Sequence, residues 1–193
     1  SDMAKVLLAH GAKVDEANRI GQTPLFISAL KGHSYMAKVL LGYGARVDEA
    51  NRVGATPLLS AAQHGHIDMA KLLLAHGAKV DAACNDGAAG SFDNGATPLF
   101  MAAKESHSDM AKVLLAHGAK VDEANRIGQT PLFISALKGH SDMAKVLLGH
   151  GARVDEANRV GATPLLSAAR HGHIDLAKLL LAHGAKVDAA CND

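Results

Sequence analysis

The tightest constraint on this chain is that it repeats itself. The run Gly-x-Thr-Pro-Leu begins at Gly21, Gly54, Gly95, Gly128 and Gly161, at separations of 33, 41, 33 and 33 residues. A fixed period of this length marks stacked supersecondary units, each too small to bury its own apolar faces, so neighbours must cover one another. A residue that recurs with the period is therefore read first as a packing residue.

The stretch 54–86 shows one unit. Thr56 is placed to cap a helix, and Pro57 sits at its first position, where a missing N–H costs nothing. Leu58, Leu59, Ala61 and Ala62 predict a short helix of small residues, ended by Gly65 in the left-handed conformation. The run Ile67–Gly77 predicts a second helix with Met69, Leu72 and Leu73 on its inward stripe and Asp68 in its first turn, where the helix dipole favours negative charge. Gly77 stops it, and the remainder is extended and turn-like. The unit reads helix, turn, helix, finger.

The recurring pattern Gly-x-Thr-Pro-Leu, Ala-Ala, Gly-His, Leu-Leu, Gly-Ala resembles the ankyrin repeat over nearly the whole chain. The resemblance implies an all-α repeat protein, an ankyrin-type α-solenoid of helix-turn-helix units with β-hairpin or loop fingers. Its parts are a half repeat at 1–20, full repeats at 21–53, 54–86, 95–127, 128–160 and 161–193, and an inserted loop at 87–94. The chain departs from the family at the residue after Thr-Pro-Leu. Where the family usually has His, Phe26, Leu59, Phe100, Phe133 and Leu166 are apolar, so polar ties between units are not expected at that spot.

A longer period lies above the first. Residues 1–86 match 108–193 at an offset of 107, with four differences: Tyr35 against Asp142, Tyr43 against His150, Gln63 against Arg170, and Met69 against Leu176. This is the mark of recent duplication or deliberate construction. Only 87–107 is unique. There Ser106 precedes His107 where the other units have Gly, and Ser in a left-handed position costs about 1 kcal/mol. The end units copy internal ones instead of carrying polar caps. That leaves three expectations: a fragment of a longer array, ends that stack on other chains, or ends that stay exposed.

The formal charge of +1, from 20 basic and 19 acidic residues, gives no footprint for nucleic acid or an anionic membrane. Neither a membrane span nor a signal peptide is expected. Cys84 and Cys191 occupy equivalent places in distant units, so reduced thiols and an intracellular, cytoplasmic setting are the expectation.

No catalytic, cofactor-binding or metal-ligating set is expected. His64 and His66, His171 and His173, and the ladder His10, His76, His117, His150 and His183 recur with the period, and helix spacing of about 8–10 Å keeps ladder members from sharing an ion. Ser28, Ser60, Ser135 and Ser167 recur inside first helices, which reads as packing of small residues rather than nucleophilic chemistry. The Asp-Lys pairs at i,i+3 on second helices read as a solvated outer face.

In the ankyrin family, partner contacts come from finger tips and the concave face of the first helices. Mapped by repeat position, the tips are Arg19 and Ile20, Arg52 and Val53, Arg126 and Ile127, Arg159 and Val160, each followed by Gln22, Ala55, Gln129 or Ala162. The concave candidates are Gln63 and His64, Lys104 and Glu105, Arg170 and His171, with Leu30, Lys31, Leu137 and Lys138. Arg beside an apolar residue suits an interface. Phe92, in the inserted loop, is a candidate aromatic anchor. The function these features predict is a non-catalytic protein–protein interaction module. The alternative is a structural or engineered repeat scaffold with no evolved partner, self-associating end to end.

Overall fold

The computed structural model describes residues 10–85 and 94–187. Among these residues it contains ten helices and no strand, in consecutive pairs: α1 (Pro24–Lys31) and α2 (Ser34–Gly42), α3 (Pro57–Gln63) and α4 (Ile67–Ala75), α5 (Pro98–Lys104) and α6 (Ser108–Ala116), α7 (Pro131–Lys138) and α8 (Ser141–Gly149), α9 (Pro164–Arg170) and α10 (Ile174–Ala182).

Each first helix starts for one local reason. Thr23, Thr56, Thr97, Thr130 and Thr163 are extended at the N-cap, and each hydroxyl accepts the N–H three residues on at 3.1–3.2 Å. Pro follows at the first helical position, and each such cap is worth about 1 kcal/mol. The helix ends at a left-handed residue, such as Gly65 at φ 70°. In the middle unit that residue is Ser106, at φ 62° the one non-glycine with positive φ among the described residues. The strain expected from the sequence is therefore present. Ser106→Gly is predicted to stabilise the protein by about 1 kcal/mol, the relieved left-handed strain exceeding the extra unfolded-chain freedom of Gly. A rise of a few degrees in Tm checks this, and an unchanged or lower Tm refutes it.

The two helix rows pack differently. First helices α1, α3, α5, α7 and α9 touch one another more extensively than second helices do. Alanine explains the close approach, because Ala61, Ala62, Ala102 and Ala103 are fully buried and keep the helices' facing surfaces small. The second helices contribute the bulkier Met69, Leu73, Met110, Leu114, Met143 and Leu147, also fully buried. A stack with the smaller spacing on one row curves toward that row, so the first helices line the inner, concave side. Because α3 packs on α5 as α1 packs on α3, the stack continues past the insertion.

Four of the five apolar residues after Thr-Pro-Leu are core, Phe26, Leu59, Phe100 and Phe133 being buried, while Leu166 of the last unit is exposed. The tie between units comes instead from the Gly-His pair. The rings of His66, His107, His140 and His173 place Nε2 3.1–3.2 Å from the carbonyls of Leu30, Gln63, Lys104 and Leu137 in the preceding unit. These carbonyls belong to the last turn of a helix, where no intrahelical donor remains. Each histidine thus donates Nε2–H to close the previous helix.

The serines divide into two sets rather than one recurring position. Ser28 and Ser135 donate to the carbonyls of Pro24 and Pro131 at 2.8 Å. Ser60 and Ser167 stand one residue earlier in their units, buried. All four belong to the helix packing.

Candidate protein-binding surface

The fingers are pairs of tight turns. In the first described finger, Asn18 N–H donates to the Gln22 carbonyl at 3.0 Å, and Gly21 N–H to the Asn18 carbonyl at 2.9 Å. The side chain of Asn18 does more: its Oδ1 accepts the N–H groups of Ile20 and Gln22 at 3.1 and 3.0 Å. Asn51, Asn125 and Asn158 repeat the arrangement. These asparagines organise the tips, and sequence reasoning passed over them. Their signal was available, since Asn three residues before Gly in a turn region is the residue type that bonds backbone N–H groups ahead of it.

Gln22 and Gln129, assigned to the tips by repeat position, serve the finger instead. Asn18 and Asn125 donate Nδ2–H to their Oε1 at 3.1 and 3.2 Å, and Gln129 is buried.

Adjacent fingers are joined by single backbone bonds. Arg52 N–H donates to the Ile20 carbonyl at 3.1 Å, Asn85 to Val53 at 2.9 Å, Arg126 to Asn94 at 2.9 Å and Arg159 to Ile127 at 3.1 Å. Asn94 therefore takes the tip place that Ile20, Val53 and Ile127 hold in other fingers. The tips form one row, with Arg19, Arg52, Arg126 and Arg159 all exposed and Asn85 standing in the third finger between Arg52 and Arg126. Beside them Ile20, Val53 and Val160 are 55, 43 and 69% exposed, while Ile127 is half-buried. Phe92 lies outside the described residues.

Gln63, His64, Lys104, Arg170 and His171 lie at the C-terminal ends of the first helices, on the inner row. His64, Arg170 and His171 are exposed, and Gln63 and Lys104 half-buried. His64 and His171 each put Nδ1 2.9 Å from a carbonyl of their own last turn, at Ser60 and Ser167. The tip row and this row are the two edges of one inner surface, separated by the length of a first helix, about 10–12 Å at 1.5 Å per residue.

The acidic residues of the fingers point elsewhere. Asp15 and Asp122 each accept a backbone N–H and a guanidinium N–H from Arg46 and Arg153 of the next unit. Asp48, Asp81 and Asp155 accept the N–H of Lys79, Lys120 and Lys186. These carboxylates tie one unit to the next. On the second helices Lys112 and Lys145 donate to Asp109 and Asp142 at 2.8 and 2.9 Å, and that hydrogen bond, reinforced by the charge, holds both carboxyls below the usual aspartate value. Among the described residues no three His, Cys, Asp or Glu side chains gather as metal ligands, and no helix is long and apolar enough to cross a membrane.

The family model for ankyrin repeats, in three copies, matches residues 1–84, 43–125, 79–158 and 121–191. The chain belongs to the ankyrin repeat family, whose members are generally protein–protein interaction modules and typically non-catalytic. No curated protein matches the chain.

Proposed function

We propose that this chain is a non-catalytic binding module for a protein partner that lies along the tips Arg19–Ile20, Arg52–Val53, Arg126–Ile127 and Arg159–Val160 and the inner helix ends. The observation that supports this most is the tip row: exposed Arg beside Ile or Val in four fingers, two on each side of the Asn85 finger, aligned by finger-to-finger hydrogen bonds. Exposed apolar side chains at ordered positions are costly unless a partner covers them, and Arg is enriched among residues that dominate binding energy. A rigid row also loses little entropy on binding. The setting we propose is the cytoplasm, where Cys84 and Cys191, at equivalent positions of repeats 107 residues apart in sequence, stay reduced.

A peptide library panned against the chain tests this, with amide hydrogen exchange locating what is selected. Protection of residues 18–22, 51–55, 125–129 and 158–162 is the expected result. Protection confined to the second helices removes the proposal. One observation favours a scaffold without an evolved partner, namely that the two copies differ at four positions in 86. In that case panning yields no peptide that binds above background, and light scattering shows assemblies lengthening with concentration.

A further inference from the structure

The near-neutral total conceals a separation of charge. The four tip arginines, with Lys31, Lys104, Lys138 and Arg170 on the inner helix ends, make eight of the chain's 20 basic residues, and among the described residues Glu105 is the one acidic residue that shares this band. Elsewhere several cations are matched: Arg46 with Glu49 and Arg153 with Glu156 at 2.9 Å, and Lys112 with Asp109 at 2.8 Å. Among the described residues, the tip arginines, Lys31, Lys138 and Arg170 form no ion pair.

The tip arginines are also held in place. A Cβ built on Gly21, Gly95 or Gly128 would stand 3.2, 3.0 or 3.2 Å from the Cγ of Arg52, Arg126 or Arg159. The stem of each arginine thus lies on the preceding tip's glycine, while its exposed head has no partner to give up. The finger carboxylates that could neutralise these heads are committed to the neighbouring unit's backbone and to Arg46 and Arg153.

Resting on the protein-binding reading above, we infer that the partner is an extended acidic polypeptide segment running along the stack, with a carboxylate and an adjoining apolar side chain at about every third residue, except opposite the third finger, where Asn85 stands in place of arginine. The spacing follows from two lengths. Packed helices stand about 8–10 Å apart, and an extended chain advances about 3.3 Å per residue, so one layer matches three residues. The apolar neighbour follows from Ile20, Val53 and Val160, exposed beside their arginines. A single-stranded nucleic acid is the competing polyanion. It binds by stacking bases on aromatic side chains, and among the described residues this band holds no Phe, Tyr or Trp.

The test uses the whole chain and three probes at low salt, read by fluorescence anisotropy. The first is a peptide of about fifteen residues with Glu followed by Val at every third position except the central one, which spans about five layers. The second has the same composition with its glutamates in one block, and the third is an oligouridylate. We expect the spaced peptide to bind about tenfold more tightly than the block peptide, with affinity falling as salt rises. Arg52→Ala with Arg159→Ala weakens it by about tenfold, while Lys71→Ala with Lys145→Ala on the second helices leaves it unchanged. All four positions are exposed, and circular dichroism checks that the variants keep the fold.

Equal binding of the spaced and block peptides overturns the inference, and so does tighter binding of the oligouridylate. Should neither acidic peptide bind while panned non-acidic peptides protect the tips, the inference fails and the protein-binding reading stands. Protection of the second helices alone removes both.

Discussion

Leu99→Ala lowers the free energy of unfolding by about 2–5 kcal/mol, the range for deleting a buried leucine side chain whose surroundings relax only in part. Leu99 is fully buried on α5, which packs against α3, α6 and α7. The position matters more than the volume. In a stack of repeats, stability is approximately a sum of unit terms and nearest-neighbour terms. The unit 95–127 is the layer that joins the units before it to the units after it, since α5 packs against both α3 and α7. Weakening it removes the coupling that makes them unfold together, so denaturation by urea splits into two steps. Circular dichroism across a urea series reads both quantities. A loss below about 1 kcal/mol with one unchanged transition contradicts the account of α5 as the coupling layer.

The second large effect separates backbone strain from finger contact. Gly118→Ala and Gly128→Ala both place a Cβ at positive φ, 86° and 80° respectively, at about 1–2 kcal/mol each. At Gly118 nothing lies within 4 Å of the new atom. At Gly128 it meets the backbone nitrogen of Arg159 at 2.8 Å. That nitrogen donates to the Ile127 carbonyl, so the finger-to-finger bond is strained or lost as well. Gly128→Ala is predicted to cost about 2–4 kcal/mol, roughly twice the Gly118→Ala value, and the change in the unfolded chain is common to both. Equal losses, measured side by side by urea denaturation, show that the fingers tolerate separation. Because the same bond sets the spacing of Arg126 and Arg159, Gly128→Ala also weakens any ligand that needs both.

The helices were legible in the sequence because their signals are local. Thr56 and Pro57 start α3 through bonds made within one turn, and Gly65 ends it through its own backbone conformation. Ser106 was legible for the same reason, since its φ is set by its place in the turn. The tips Arg52 and Val53 could be placed by period alone. Gln129 could not, because its place is decided by Asn125, a contact made only when the finger closes. The role of the Gly-His histidines was equally hidden. His66 reads as a turn residue, but its Nε2 serves Leu30 in the unit before, 36 residues away.

The sequence by itself determined the unit and which residues repeat, because period and capping need no knowledge of neighbours. The tertiary structure alone decided the division of charge. Arg46 and Arg52 lie six residues apart in one finger and look alike in a composition of 20 basic and 19 acidic residues. Stacking brings Asp15 of the preceding unit to Arg46 and brings Gly21 beneath the stem of Arg52. One cation is thereby consumed in holding the array together and the other is presented on its surface, because electrostatic pairing follows distances of a few ångströms that only the packing of neighbouring units sets.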